Sequence, residues 1–485
     1  MAARRHDRSA PPAVPPGGRE RLDGLLRPWF QRLFEPVDVA SLAAFRVAFG
    51  GLMFLHMLGY LTKGWLHTHY LAPAFYFKYP GFAWLPALPK EALPAFFWAL
   101  AGLAAMIALG IFSRVACALF ALGFGYVLLL DAASYQNHLY LICLLAFLLA
   151  VVPAHRTLSL TTRSGQRTDW APTWALWLLR FQLAVPYVLG GLAKLNYDWL
   201  VRAQPVAIWM SEAPPGRFRA AFLDERWAAY GIAWGGLLYD LLVVPALLWR
   251  RTRLLAVAVT LAFHLSNSRL FSIGVFPSLM IAATMLFFPP DWPRRLRLMR
   301  RPRRPQPGAA PAGGGMGRRA PPAAGNRHAA PRGRYGRRAV LAFLGVWVAV
   351  QLLLPFRHLL YPGAVDWTEE GHRFAWRMKL RDKRGTLRFV AVDRRRREVH
   401  PLTGVEAVLT PNQRHMMLHD PNMIRQFARH VAQGLASTGY GPVEVRAITS
   451  ISLNGRPPRP MIDPEVDLAA QPHRWGPAPW IARAP

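Results

Sequence analysis

Three stretches of this sequence carry no charged side chain over the length that one helix needs to cross a bilayer. Leu93–Ser113 and Leu270–Pro290 each span 21 residues, and Ala339–Phe356 spans 18. A hydrocarbon core about 30 Å thick takes about 20 apolar residues in a helix, so each reads as a transmembrane helix. Six weaker stretches, most with one or two ionisable groups, extend the pattern: Val39–Leu61 (Arg46), Val115–Leu130, Ala132–Ala154 (His138), Trp170–Leu195 (Arg180, Lys194), Trp227–Trp249 (Asp240) and Leu254–Ser268 (His264). The expected fold is a polytopic α-helical membrane protein of about nine spans with a C-terminal extracytoplasmic α+β domain.

Composition agrees once its segregation is noticed. The chain is 53% hydrophobic and 18% charged, yet carries a net charge of +33. Fourteen arginines and no acid lie between Arg294 and Arg338, among Pro, Gly and Ala. Such a segment buries too little apolar surface to fold and reads as a disordered linker. Beside membrane spans, so basic a loop follows the positive-inside rule next to anionic lipid rather than binding nucleic acid. The expected order is therefore a basic cytoplasmic N-terminus (1–38), a helical membrane region (39–292), a cytoplasmic linker (293–338), a last span (339–356) and an extracytoplasmic domain (357–485). No apolar core of roughly ten residues follows the early arginines, so the first span would serve as an uncleaved signal. Within the last region Gly385–Asp393 and Val443–Leu453 alternate like strands, the second running into an Asn454-Gly455 turn, and Pro421–Leu435 has helical spacing.

Ionisable groups at membrane depth are costly, which makes each a functional candidate. Lys194 follows Gly190-Gly191 at a span end; it either snorkels to the headgroups or is a desolvated amine able to act as a base. The glycines would let a second backbone or a flat ligand approach closely. His138 beside Asn137, and His264 near Asn267, point to a shared polar cavity. Arg46, Arg180, Asp131 and Asp240 read as structural ion pairs between helices. The two cysteines, Cys117 and Cys143, lie in apolar stretches and exclude a disulfide framework or a Cys-based metal site. His415 and His419 have helical metal-site spacing but no evident third ligand, so no metal is expected. Nucleotide-binding loops and GxSxG are absent from the sequence. Residue chemistry alone leaves a transporter or an enzyme acting on a lipophilic substrate.

Several strings go further. Phe34–Asp38 followed by ASLAAFR, Ser134–Phe147, Gly191–Trp199 (GLAKLNYDW), Phe263–Gly274, Leu354–His358 (LPFRH), Trp367–Trp376 (WTEEGHRFAW) and Ser450–Asp467 occur in the order found in the vitamin K-dependent gamma-glutamyl carboxylase family. The chain resembles that family, in its shorter bacterial form with an HTTM domain. The resemblance implies that a quinol, vitamin K hydroquinone or a menaquinol, is deprotonated and reacts with O2 to give an epoxide. The oxygenated intermediate would remove the γ-proton of a peptidyl glutamate, and the carbanion would capture CO2. Lys194 matches the family's base toward the quinol, while His138, His264 and His358 match motif histidines and are carried over as cavity residues. Asn137, Gly190, Gly191 and Asn267 would contact the quinol. Trp367, His372 and Trp376 would contact the glutamate, although Gly371-His372 stands where vertebrate members have Leu-Tyr. The implied partners are a Glu-containing peptide or protein, the lipid bilayer and a quinone-reducing enzyme, at a bacterial inner membrane. Two alternatives stay open: a quinol epoxidase without carboxylation, and a transporter or lipid-binding protein on the same fold.

Overall fold

The computed structural model describes residues 30–162, 167–212, 226–270, 273–299, 336–393, 398–438, 443–472 and 476–485. The expected basic terminus and most of the arginine-rich linker lie outside them. Among the described residues a helix occupies each of the nine apolar stretches: α1 (Ala40–Thr62), α2 (Leu93–Leu109), α3 (Ser113–Leu130), α4 (Asn137–Val151), α5 (Thr173–Ala193), α6 (Arg226–Leu248), α7 (Arg253–Leu270), α8 (Phe276–Thr284) and α9 (Arg337–Leu353). Five are long and apolar enough to cross a membrane: α1, α3, α5, α6, and α9 with its continuation to Leu360.

The shorter helices have local causes. The charge-free stretch 270–290 is not one helix. The chain turns at Gly274, whose φ is +55°, and α8 restarts with Pro277 in its first turn. The apolar stretch 132–154 begins its helix only at Asn137. Asp131 first caps a 3-10 turn at Ala132–Ser134 by accepting the Ala133 N–H. Small residues set the close contacts: a Cβ on Gly50 of α1 would lie 2.4 Å from the Ala108 nitrogen of α2. One short strand pair, β1 (Pro36–Asp38) with β2 (Trp170–Pro172), closes one end of the bundle. Arg294 bridges Asp38 and Asp169 there.

The C-terminal region holds a three-stranded antiparallel sheet. Its order is β4 (Val399–Leu402), β3 (Lys383–Asp393), β5 (Val443–Leu453). β3 and β5 pair from Lys383↔Leu453 to Asp393↔Val443, and the turn after β5 puts Asn454 and Gly455 at positive φ, as their residue types favour. Two helices cover it: α10 (Pro411–His419), opened by a capping box of Thr410 and Gln413, and α11 (Pro421–Ser437), which buries Met423, Ile424, Phe427 and Val431.

This region is seated on the bundle by polar contacts. Asp198 takes both terminal nitrogens of Arg456 at 2.5 and 2.6 Å, and accepts from Asn454 at 2.8 Å. Gln413 of α10 donates to Asp131 at 2.9 Å.

Candidate functional site

A cavity of about 460 Å³ lies where the ends of α4, α5, α6, α7 and α8 meet the segment 369–381. Its apolar wall includes Pro186, Ile232, Phe263, Phe276 and Met280. Five of the residues expected at the site line it: Asn137, His138, Lys194, His264 and Asn267, joined by His372 from the outer region.

Lys194 follows the last turn of α5 and is 7% exposed, so it does not snorkel. Its Nζ donates to Asp240 Oδ2 at 2.5 Å and to the Gly190 carbonyl at 3.3 Å, and lies 5.3 Å from the Trp199 ring centre. Asp240 comes from α6, and the two glycines explain how it gets there. A Cβ on Gly191 would sit 2.6 Å from Leu241 Cδ2 and 3.3 Å from Asp240 Cβ, and one on Gly190 would sit 3.5 Å from Asp240 Oδ2. The pair therefore admits a neighbouring helix, and neither glycine lines the cavity.

Around His264 the Tyr187 hydroxyl lies 2.9 Å from Nε2 and the Tyr239 hydroxyl 3.4 Å, while Nδ1 is buried and has no hydrogen-bond partner among the described residues. Tyr239 is itself held by stacking on Phe263 at 4.0 Å. His138, at the first turn of α4, packs against Phe276. Asn137 accepts from Tyr135, whose hydroxyl also accepts the Phe374 N–H at 2.7 Å, tying the loop before α4 to the outer region.

The outer wall is basic. Arg373, Arg377, Lys379 and Arg381 line it with Glu369 and Asp420. Arg373 pairs with Asp420 at 2.8 Å, Arg377 with Asp366 at 2.8 Å, and Glu369 receives both Arg381 and Lys383. Burial pushes His372 well below the ordinary histidine pKa, reinforced by Arg381 and Arg373, so its ring is neutral, with Nδ1 buried and without a partner among the described residues. His419 is likewise pushed down to about 3 by burial and then by His415. Its Nε2 meets the Lys383 carbonyl at 2.8 Å, and no group of three metal-ligating side chains occurs among the described residues.

Three expected residues stand elsewhere. His358 is outside the cavity, with Nδ1 on the Pro355 carbonyl at 2.8 Å. It explains Gly371, where φ is +71° and a Cβ would come within 2.6 Å of His358 Cα. Trp367 is fully buried and donates to the Ala482 carbonyl, and Trp376 stacks on Tyr140; neither lines the cavity.

The expectation of interhelical ion pairs at Arg46, Arg180 and Asp131 is corrected. Arg46 donates to the Ile107 and Leu158 carbonyls, and Arg180 to those of Leu286 and Phe288. Asp131 accepts from Phe77, Ala133 and Gln413. Carbonyls freed at helix ends and unpaired N–H groups in loops satisfy these charges without a counter-ion. Asp240 does form the expected ion pair between helices, and its partner is Lys194. Their separation of 46 residues left no sequence signal for the pairing beyond the glycine pair.

The sequence matches the HTTM domain family over residues 34–292 and the vitamin K-dependent gamma-carboxylase lumenal domain over residues 336–485. No solved structure matches the chain.

Proposed function

This chain belongs to the vitamin K-dependent gamma-carboxylase family, and from that membership we propose that it is a quinol-dependent carboxylase of glutamyl side chains. Several apolar helices and the lumenal-domain match make it a multi-pass membrane protein with an extracytoplasmic C-terminal domain. Family membership implies vitamin K hydroquinone, O2 and CO2 as reactants and a Glu-containing substrate. In the proposed topology nine helices span, the N-terminus and the 293–338 linker are cytoplasmic, and the setting is a bacterial inner membrane with a quinone-reducing enzyme nearby.

The observation that carries the reading is the buried Lys194–Asp240 pair on the wall of an apolar cavity that also holds His138 and His264. A quinol fits this cavity. Its volume falls within the roughly 300–1,000 Å³ of small-molecule pockets, its wall on the bundle side is largely apolar, and Asn137, His138, Lys194 and His264 line it as polar groups suited to ring oxygens. When bound, the quinol supplies the electrons for O2 and the strong base that takes the γ-proton. Lys194 Nζ receives the hydroxyl proton, with Asp240 Oδ2 at 2.5 Å to take the proton that the ammonium must first give up. Tyr187 and Tyr239 orient His264. Apolar walls keep water from quenching the base. The arginines of the outer wall supply positive charge for the substrate carboxylate and the product dicarboxylate.

A second reading, quinol epoxidation without carboxylation, is favoured by one observation: Trp367 and Trp376, expected at the glutamate, are packed away from the cavity. Purified protein in detergent with reduced vitamin K, O2 and labelled bicarbonate separates the two. Epoxide together with label in a Glu-containing peptide is the expected result. Epoxide with unlabelled peptide supports the epoxidase, and absence of both products overturns the reading.

A further inference from the structure

A second cavity of about 310 Å³ adjoins the first, and the two share Glu369, Arg373 and Asp420 in their linings. Its other walls come from the 354–361 segment, Tyr79–Phe82 and the proline-rich 477–480 loop ending at Trp480. The shared boundary is thus an ion pair, with the neutral His372 next to it in the chain and on the larger cavity.

We propose that the smaller cavity is the polypeptide's site, and that Arg373 binds the substrate carboxylate in place of Asp420. This rests on the reading that the substrate carries a glutamate. The chemistry of the pair supports the exchange. Among the described residues, Arg373 uses one guanidinium nitrogen, Nη2, on Asp420 Oδ2 at 2.8 Å. A guanidinium has five donors in a planar fork that matches a carboxylate with two parallel bonds, so the present bond leaves donors on the wall of both cavities. Asp420 has a second occupation: its Oδ1 accepts from the Asn422 and Met423 N–H groups at 2.9 and 3.3 Å and caps α11. It therefore keeps hydrogen bonds when Arg373 turns to another carboxylate. A glutamyl side chain held by Arg373 lies at the boundary, with its backbone in the smaller cavity and its carboxylate beside the larger one. The rings of Tyr361, Pro479 and Trp480 on its wall suit an extended peptide rather than a free amino acid.

The test is peptide binding without quinol, read by fluorescence anisotropy on the full chain in detergent. The probes are a labelled peptide with one glutamate and its glutamine counterpart. Wild type should prefer glutamate at least tenfold. Arg373→Gln should abolish that preference, and Arg373→Lys, which keeps the charge but not the fork, should retain part of it. Asp420→Asn preserves the helix cap, removes the competitor, and should tighten glutamate binding at least threefold. Arg388→Gln, on an exposed position of β3, should behave as wild type. The proposal is overturned if wild type shows no preference, if preference survives Arg373→Gln, if Arg388→Gln loses it equally, or if Asp420→Asn weakens binding as Arg373→Gln does. The last outcome would make the pair purely structural. Failure of the quinol reading shows instead as absence of epoxide from wild type, which peptide binding does not report.

Discussion

Around Arg46 the protein closes a buried cation in with backbone; around Lys194 it leaves one beside a cavity. Arg46 is 1% exposed, and its guanidinium reaches the Ile107 carbonyl in the last turn of α2 and the Leu158 carbonyl beyond. Among the described residues no carboxylate pairs with it, and it lines neither cavity. It does the work of a helix cap, since the last carbonyls of a helix have no partner of their own. Lys194 is buried almost as deeply, but its main partner is a carboxylate, and the two share a wall with two histidines. A guanidinium on carbonyls keeps its proton; an ammonium against a carboxylate can pass one. On the proposed function, charge at membrane depth marks chemistry only where it meets both a proton acceptor and space for a ligand.

Substitutions at the two places should separate accordingly. Asp240→Ala leaves Lys194 buried and unpaired, which costs about 3–5 kcal/mol. Unfolding in mixed micelles should report that loss, and epoxide formation should fall with it. If stability were unchanged, the pair would not be the buried contact described. Arg46→Met removes the charge together with its bonds and strands two carbonyls, for about 2 kcal/mol. Epoxidation per folded molecule should stay at the wild-type rate; a loss there would erase the contrast.

The glycines sharpen it. Each admits a close approach, at Gly110 to Arg46 Nη1, 2.5 Å from a built Cβ, and at Gly191 to Leu241. Gly110→Ala and Gly191→Ala should each destabilise by about 1–3 kcal/mol. Only Gly191→Ala should also slow turnover, because it pushes Asp240 from Lys194. The smallest effect belongs to Tyr187→Phe, which deletes one hydrogen bond to His264. It should lower epoxidation about fivefold, the equivalent of about 1 kcal/mol, with stability little changed.

Much of this was legible in the chain. Among the described residues, hydrophobic run length placed a helix in each of the nine apolar stretches, because burial in lipid or core is written in consecutive residues. Alternation placed β3 and β5, and helical spacing placed α11. Lys194, His138 and His264 stood out because ionisable groups are rare in such runs. What stayed hidden depends on which helices meet. The break at Gly274, the Lys194–Asp240 pair and the junction of two cavities at Arg373 are contacts across long loops, with no local pattern to show them. The short β4 and the capping box at Thr410 carried local signals that are weak beside those of the long apolar runs.

In the proposed mechanism Lys194 takes the quinol's proton. That step is tested most directly by epoxide formation from reduced vitamin K by Lys194→Ala, with wild type alongside at equal folded concentration. A general base contributes about a hundredfold or more, so the account predicts a fall of at least that size with the quinol still bound. Epoxide formed at the wild-type rate would contradict it.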